Sequence, residues 1–257
     1  MKRRNFVKAA GLSPLAATGL SAVVSPQDTK QEWYELRVYT LRGGGRMQPM
    51  SAYLSEALIP ALNRHGVANV GVFTELADPQ PPKLYVLIPY ASAADFAALP
   101  GRLLADKTYQ AAAEAYREIP LNGQVYDRYD TWLLRAFSGI PQLAVPEKGA
   151  RIFELRTYEG YSDDAVRRKV KMFNEGELDI FYETGLQPVF FGHMMAGPAM
   201  PALTYLLTFK DMEERDANWA AFIEHPDWKT LSRDPQYADT VSRIIRVFLR
   251  PTAYSQV

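Results

Sequence analysis

One stretch of this chain is written twice. Trp33-Tyr34-Glu35-Leu36-Arg37-Val38-Tyr39 returns 119 residues later as Ile152-Phe153-Glu154-Leu155-Arg156-Thr157-Tyr158. The same offset carries Gly66 onto Gly185, Val70 onto Val189 and Tyr109 onto Trp228, and a shift of one carries Leu84-Tyr85-Val86-Leu87 onto Thr204-Tyr205-Leu206-Leu207. Matches kept in order over such a span mean two copies of one structural unit. Between them, Ser138–Ala150 holds Gly139, Pro141, Pro146 and Gly149, a composition that interrupts both helix and strand. The chain therefore divides into a leading segment 1–27, a first unit 28–137, a linker 138–150 and a second unit 151–257.

Each unit reads strand, helix, strand, strand, helix, strand. In the second, Arg151–Tyr158 alternates with period two. Ser162 and Asp163 suit a helix start, Val166, Val170, Phe173, Ile180 and Phe181 recur at helical spacing, and Gly185 suits the helix end. Apolar runs at 189–194 and 203–210 predict strands, 211–223 a helix interrupted at His225-Pro226, and 242–249 the last strand. The first unit follows with strands at 33–41, 70–76, 83–89 and 125–136 and helical pieces at about 47–65 and 92–118; Pro60 predicts a kink or a fresh helical start. This order is the split βαβ of ferredoxin-like folds, with both helices on one face of a four-stranded sheet. The fold class is α+β: two tandem βαββαβ units packed sheet to sheet as a pseudo-dimeric barrel.

The Glu-Leu-Arg-x-Tyr opening of each copy, the Gly-ended first helix and the Trp219…His225-Pro226-Asp227-Trp228 stretch resemble the NIPSNAP domain, over about 33–136 and 151–254. The first copy departs from the pattern: it has no His-Pro-x-Trp, and Tyr109 stands at the tryptophan position. The resemblance implies a dimeric α+β-barrel fold and brings no catalytic residues with it.

Strand parity sorts the repeated motif. Tyr34, Leu36, Val38 and Phe153, Leu155, Thr157 share an apolar face, which we expect to meet the helices. Glu35, Arg37, Tyr39 and Glu154, Arg156, Tyr158 then point into the space between the sheets, where two guanidiniums and two phenols could hold a carboxylate or enolate. The structural reading of the same residues is that each Glu and Arg pair and only fix the sheet interface. His193 is a candidate general base or haem ligand in the barrel, sharing a face with Val189 and Phe191, or else a satisfied core histidine; Thr74 stands near its position in the first copy. No cofactor is expected, with haem the one alternative considered, because distant members of the superfold bind it. His225 caps or packs at a helix break, and His65 precedes the helix-ending Gly66. Three dispersed histidines without HxH or HExxH spacing predict no metal site. Gly43-Gly44-Gly45-Arg46 reads as a flexible turn, since no phosphate-loop spacing accompanies it. Trp219, Phe222, Trp228 and Tyr237 read as a core cluster. No Gly-x-Ser-x-Gly elbow occurs, and zero Cys removes disulfides and thiol chemistry.

The leading segment reads as an address. Arg3-Arg4 within MKRRNFVK, then an uncharged Ala9–Gln27, resembles a twin-arginine export signal too weakly hydrophobic to span a membrane. The expected location is periplasmic or secreted, with no membrane span after cleavage. Of 29 basic residues four lie in this segment, leaving 25 against 29 acidic, a balance that favours no nucleic-acid partner. Two functions follow. One is binding of a small organic anion or a protein partner at the inter-sheet cleft, with a homo-oligomer compatible. The other is a cofactor-independent oxygenase, isomerase or lyase working in the barrel with His193 and Arg156, an analogy of fold.

Overall fold

The computed structural model describes residues 30–43 and 46–257; the export-signal reading at 1–27 and the centre of the Gly43–Gly45 turn lie outside them. The first unit runs β1 (Trp33–Leu41), α1 (Met47–Ala52), a π-helical stretch (Tyr53–Leu58), α2 (Ile59–Arg64), β2 (Gly71–Glu75), β3 (Lys83–Tyr90), α3 (Ala93–Ala105), α4 (Lys107–Ala112), α5 (Glu114–Arg117) and β4 (Tyr126–Ala136). The second runs β5 (Ile152–Glu159), α6 (Asp163–Met172), a π-helical stretch (Phe173–Glu177), α7 (Leu178–Glu183), β6 (Gln187–Ala196), β7 (Ala202–Phe209), α8 (Met212–Glu224), α9 (Pro226–Leu231) and β8 (Arg243–Pro251).

Local chemistry sets these boundaries. Ser162 starts α6 by accepting the Ala165 N–H at 3.2 Å, and Asp211 starts α8 by accepting that of Glu214 at 2.9 Å. Gly66 and Gly185 end the first helices at φ 83° and 77°, a left-handed conformation that costs glycine nothing. Pro60 falls in the first turn of α2, the fresh start its lack of an N–H favours.

The eight strands close into one antiparallel barrel in the order β1-β3-β2-β8-β5-β7-β6-β4. Two seams join the units: β2 meets β8 with Phe73 opposite Pro251, and β4 meets β6 with Leu134 opposite Met194. At the second seam Gly192 permits close approach, since a Cβ there would lie 2.7 Å from that of Leu134. The linker is docked: the Glu32 N–H donates to the Pro141 carbonyl, and the Ala144 N–H to that of Val189.

Three apolar clusters fill the protein. One lies inside the barrel and draws on every strand, among them Tyr34, Leu36, Phe73, Phe153, Leu155 and Phe190. The other two lie between each sheet and its own helices.

This arrangement reverses the expected facing of the repeated motif. Tyr34, Leu36 and Val38 point into the barrel with Phe153 and Leu155, while Tyr39 and Tyr158 belong to the helix-covered clusters. Alternation separates two faces without saying which is inner, and here both are buried. The barrel interior offers apolar partners, whereas the helix side supplies the hydrogen bonds that buried charges require.

The strand register also corrects the repeat alignment. Glu35 lies opposite Ile88 and Glu154 opposite Leu207, so the offset stays at 119 through β3 and β7, without a shift of one. Val86, opposite Arg37, is thus the counterpart of Tyr205, opposite Arg156.

Candidate functional site

Around Glu154 the second unit gathers an unusual concentration of buried charge. The fully buried Glu154 carboxylate accepts from Arg156 Nε at 2.7 Å, from Arg215 Nε at 2.9 Å and Nη2 at 3.0 Å, and from Trp219 Nε1 at 2.9 Å. Burial pushes its pKa up, but Arg215 and Arg156 outweigh that and hold it below the ordinary value. The Arg156 guanidinium lies 3.6 Å over the Trp219 ring, so α8 provides this arginine with a π face, while Arg215 of the same helix shares its counterion Glu154 on β5. Nearby, Lys169 on α6 reaches Glu177 at 2.5 Å across the π-helical stretch, both side chains being buried. Burial pushes Glu177 up, with Lys169 opposing. Lys169 also sits 4.5 Å from the Phe173 ring and 5.4 Å from that of Trp228.

These groups border a cleft of about 460 Å³ between β5, β8 and the helices α6, α8 and α9. Arg156, Tyr158, Lys169, Glu177 and Arg215 form its polar side, and Trp219, Phe222, Ile223, Trp228, Val241 and Ile244 its apolar side. Arg246 completes it. In the β5–β8 register Arg246 stands directly opposite Arg156. Like charges in that relation repel. Among the described residues no ion pair or side-chain hydrogen bond reaches Arg246. Grooves of about 640 and 790 Å³ beside the linker are larger, but neither is lined by such a buried charge cluster.

The first unit holds the same motif without the cleft chemistry. Arg37 bonds Glu35 through Nε at 2.6 Å and Nη2 at 3.0 Å, and Tyr90 donates to Glu35 at 2.8 Å. At the 119 offset, Lys169, Glu177, Arg215 and Trp219 correspond to Met50, Leu58, Phe96 and Pro100. Thr131, opposite Arg37, takes the place of Arg246. Tyr39 there packs against Tyr126 and Tyr129 at 5.1 and 4.9 Å between ring centres. The charged cleft is therefore a feature of the second unit.

The structure brings together Glu154, Arg156 and Tyr158, and separately Glu35, Arg37 and Tyr39, but places both sets under the helices, away from the inter-sheet space. His193 lies apart from the cleft. A bulge between Pro188 and Phe190 breaks the alternation of β6, so Val189 and Phe190 both enter the barrel cluster and Phe191 the outer one. His193 follows Phe191 to the outer face, half-buried, with Arg135 opposite on β4, which corrects its expected place inside the barrel. Burial lowers its pKa, Asp163 opposes and Arg135 adds to the lowering.

His225 caps α9 by accepting the Asp227 N–H on Nδ1 at 3.2 Å, and its Nε2 lies 3.1 Å from Glu183. Glu183, His225 and Asp227 are close enough together to suggest a metal site. With Nδ1 occupied as acceptor, however, the proton sits on Nε2 and leaves the imidazole no lone pair for an ion. Trp219, Phe222 and Trp228 do form an aromatic cluster, and Trp219 is also a hydrogen-bond donor to Glu154. Sequence reasoning missed Lys169, Glu177, Arg215 and Arg246. Lys169 stands three residues after Val166, inside the apolar stripe of its helix, and that position was the available signal.

The NIPSNAP family profile matches residues 34–125 and 153–256. The chain belongs to the NIPSNAP family. No curated protein matches it in sequence. Among solved structures, a candidate monooxygenase from Lactobacillus acidophilus aligns with a TM-score of 0.59 and 10% identity, over 86% of this chain and 94% of that one. One from Fusobacterium nucleatum aligns at 0.55 and 9%, over 86% and 92%. An uncharacterised NIPSNAP-like domain protein from Burkholderia xenovorans covers 42% of this chain with 90% of its own, at 19% identity and a TM-score of 0.38. The first two likenesses are of fold, and they span both NIPSNAP units. Among the described residues no helix is long and apolar enough to cross a membrane.

Proposed function

We propose that this NIPSNAP protein binds a small organic anion in the cleft of its second unit. The observation that carries this reading is the Arg156–Arg246 pair. The two arginines stand opposite each other in the β5–β8 register and both line the cleft, and Arg246 has no carboxylate of its own among the described residues. An anion held between them turns a repulsion into two charge-assisted hydrogen bonds. The inter-sheet space first expected to hold the ligand is packed by Tyr34, Leu36, Phe73, Phe153 and Phe190. The leading segment adds a periplasmic or secreted address to this reading.

An oxygenase, isomerase or lyase would need a base within reach of the anion site. His193 does not line the cleft, and the carboxylate that does, Glu177, is held by Lys169 at 2.5 Å. The solved candidate monooxygenases share the fold at about a tenth identity and lend this chain no residue. Binding is therefore the better-supported reading.

The test is a thermal-shift screen of small anions on the full chain and on Arg246→Ala, which removes an exposed side chain outside the buried network. The expected result is stabilisation of the parent by at least one carboxylate, weakened in the variant. Stabilisation equal in both proteins would refute the site.

A further inference from the structure

The cleft residues, counted with the carboxylates that pair with them from within and from outside the cleft, carry a charge balance that bears on the occupant. Arg156 and Arg215 share Glu154; Arg215 also bonds Asp216 through Nη1 at 2.7 Å; Lys169 is matched by Glu177. With Arg246 included, four cations meet three carboxylates, and one positive charge remains.

A hydroxyl is free as well. Tyr205 is fully buried, and its phenol lies 2.8 Å from that of Tyr158. Were Tyr158 the donor, the Tyr205 proton would be left buried without an acceptor, so Tyr205 donates. Arg156 Nη1 donates to the same Tyr158 oxygen at 3.4 Å. Both lone pairs of that oxygen are then engaged, and its own hydrogen is left for the cleft that Tyr158 lines. The apolar side of the cleft adds Trp219, whose ring already carries Arg156, together with Phe222 and Trp228, whose ring centres are 4.4 Å apart.

We propose that the occupant is an aryl monocarboxylate, one per chain. The proposal rests on the anion-binding reading above and names its ligand class. The carboxylate sits between Arg246 and the Tyr158 hydroxyl, within reach of Arg156, and the aryl group lies against the Trp228 side. A monoanion balances the single excess charge. A dianion would leave a net negative charge in a site bordered by the buried Glu154 and Glu177. Aromatic walls favour a flat ring over a flexible chain, whose ordering costs more entropy. The first unit has no such site, since Met50, Leu58, Phe96 and Thr131 replace the charged groups.

Calorimetric titration of the full chain tests this with four probes: 2-naphthoate, its neutral isostere 2-naphthamide, decanoate and inorganic phosphate. We expect 2-naphthoate to bind one to one, with 2-naphthamide about tenfold weaker and decanoate and phosphate also weaker. Tyr158→Phe removes one donor and should weaken 2-naphthoate about fivefold, and Arg246→Ala about tenfold. If Tyr158→Phe fails to fold, Arg246→Ala and the isostere still decide. Decanoate, phosphate or 2-naphthamide binding as tightly as 2-naphthoate would overturn the aryl monocarboxylate, with anion binding left standing in the first two cases. No binding by any of the three anions, or binding indifferent to Arg246→Ala, would overturn both readings.

Discussion

Replacing Glu154 with Gln should show how much of the second unit depends on one carboxylate. The side chain is 0% exposed and accepts four hydrogen bonds, three of them from guanidiniums. Glutamine offers one acceptor oxygen in place of two, and its amide nitrogen would face donors. Arg156 and Arg215 would lose their shared counterion while Arg156 stays buried against Trp219. Breaking a buried ion pair by removing one partner costs about 3–5 kcal/mol. In a chain of this size that corresponds to a fall in Tm of roughly 10 °C. Urea unfolding followed by tryptophan fluorescence measures it. Glu35→Gln is the internal comparison. Glu35 serves one cation, Arg37, with Tyr90 as a neutral donor, so the loss should be about half as large. Adding Arg215→Met to Glu154→Gln removes one stranded charge and should recover part of the loss. A cost below about 1 kcal/mol for Glu154→Gln would refute the reasoning, because it would mean the carboxylate is not the hub of the cluster.

Three further outcomes are expected. The pKa of Glu154 is held below its unfolded value of 4.5, so its stabilising share is present above that value and lost as pH falls below it; the acid limb of the stability profile should be shallower in Glu154→Gln. Arg3→Lys with Arg4→Lys keeps the charge of the leading segment but should hold the protein in the cytoplasm, and normal periplasmic yield on fractionation would remove the twin-arginine reading. An isolated second unit, 151–257, would bare Phe153, Leu155, Val189, Phe190, Leu206 and Leu249 on its inner sheet face, so sedimentation should show self-association, and a well-folded monomer would contradict the barrel as described.

The repeat carried most of the architecture. It gave the element order, the two helix-ending glycines and the closed pairing of sheets, because chain periodicity and turn chemistry are local properties. The facing of Glu154 and Arg156 was not legible for a physical reason. In a sheet covered by helices on one side and a second sheet on the other, alternation marks two buried faces, and only the partners decide which face is polar. Those partners, Arg215 and Trp219, lie some 60 residues away on α8. The bulge at Pro188–Phe190 left no mark in the apolar pattern, so His193 was assigned the wrong neighbours. Arg246 looks like any charge on an outer strand face until the β5–β8 register sets it against Arg156.

The β2–β8 seam has a consequence for how the protein comes into being. Phe73 pairs with Pro251, and Thr74 with Arg250, so contacts that close the barrel join residues far apart in the chain. A nascent chain that has emerged only as far as the linker has made β1 to β4 but has nothing to lay over Tyr34, Leu36, Phe73 and Leu134. β5 to β7 can cover part of that surface through the β4–β6 seam, but the barrel closes over it only when β8 lies beside β2. Non-local pairing of this kind slows folding and prolongs exposure to aggregation. Closure of the barrel therefore waits on β8, and until then part of the inner face of the first unit lacks its cover.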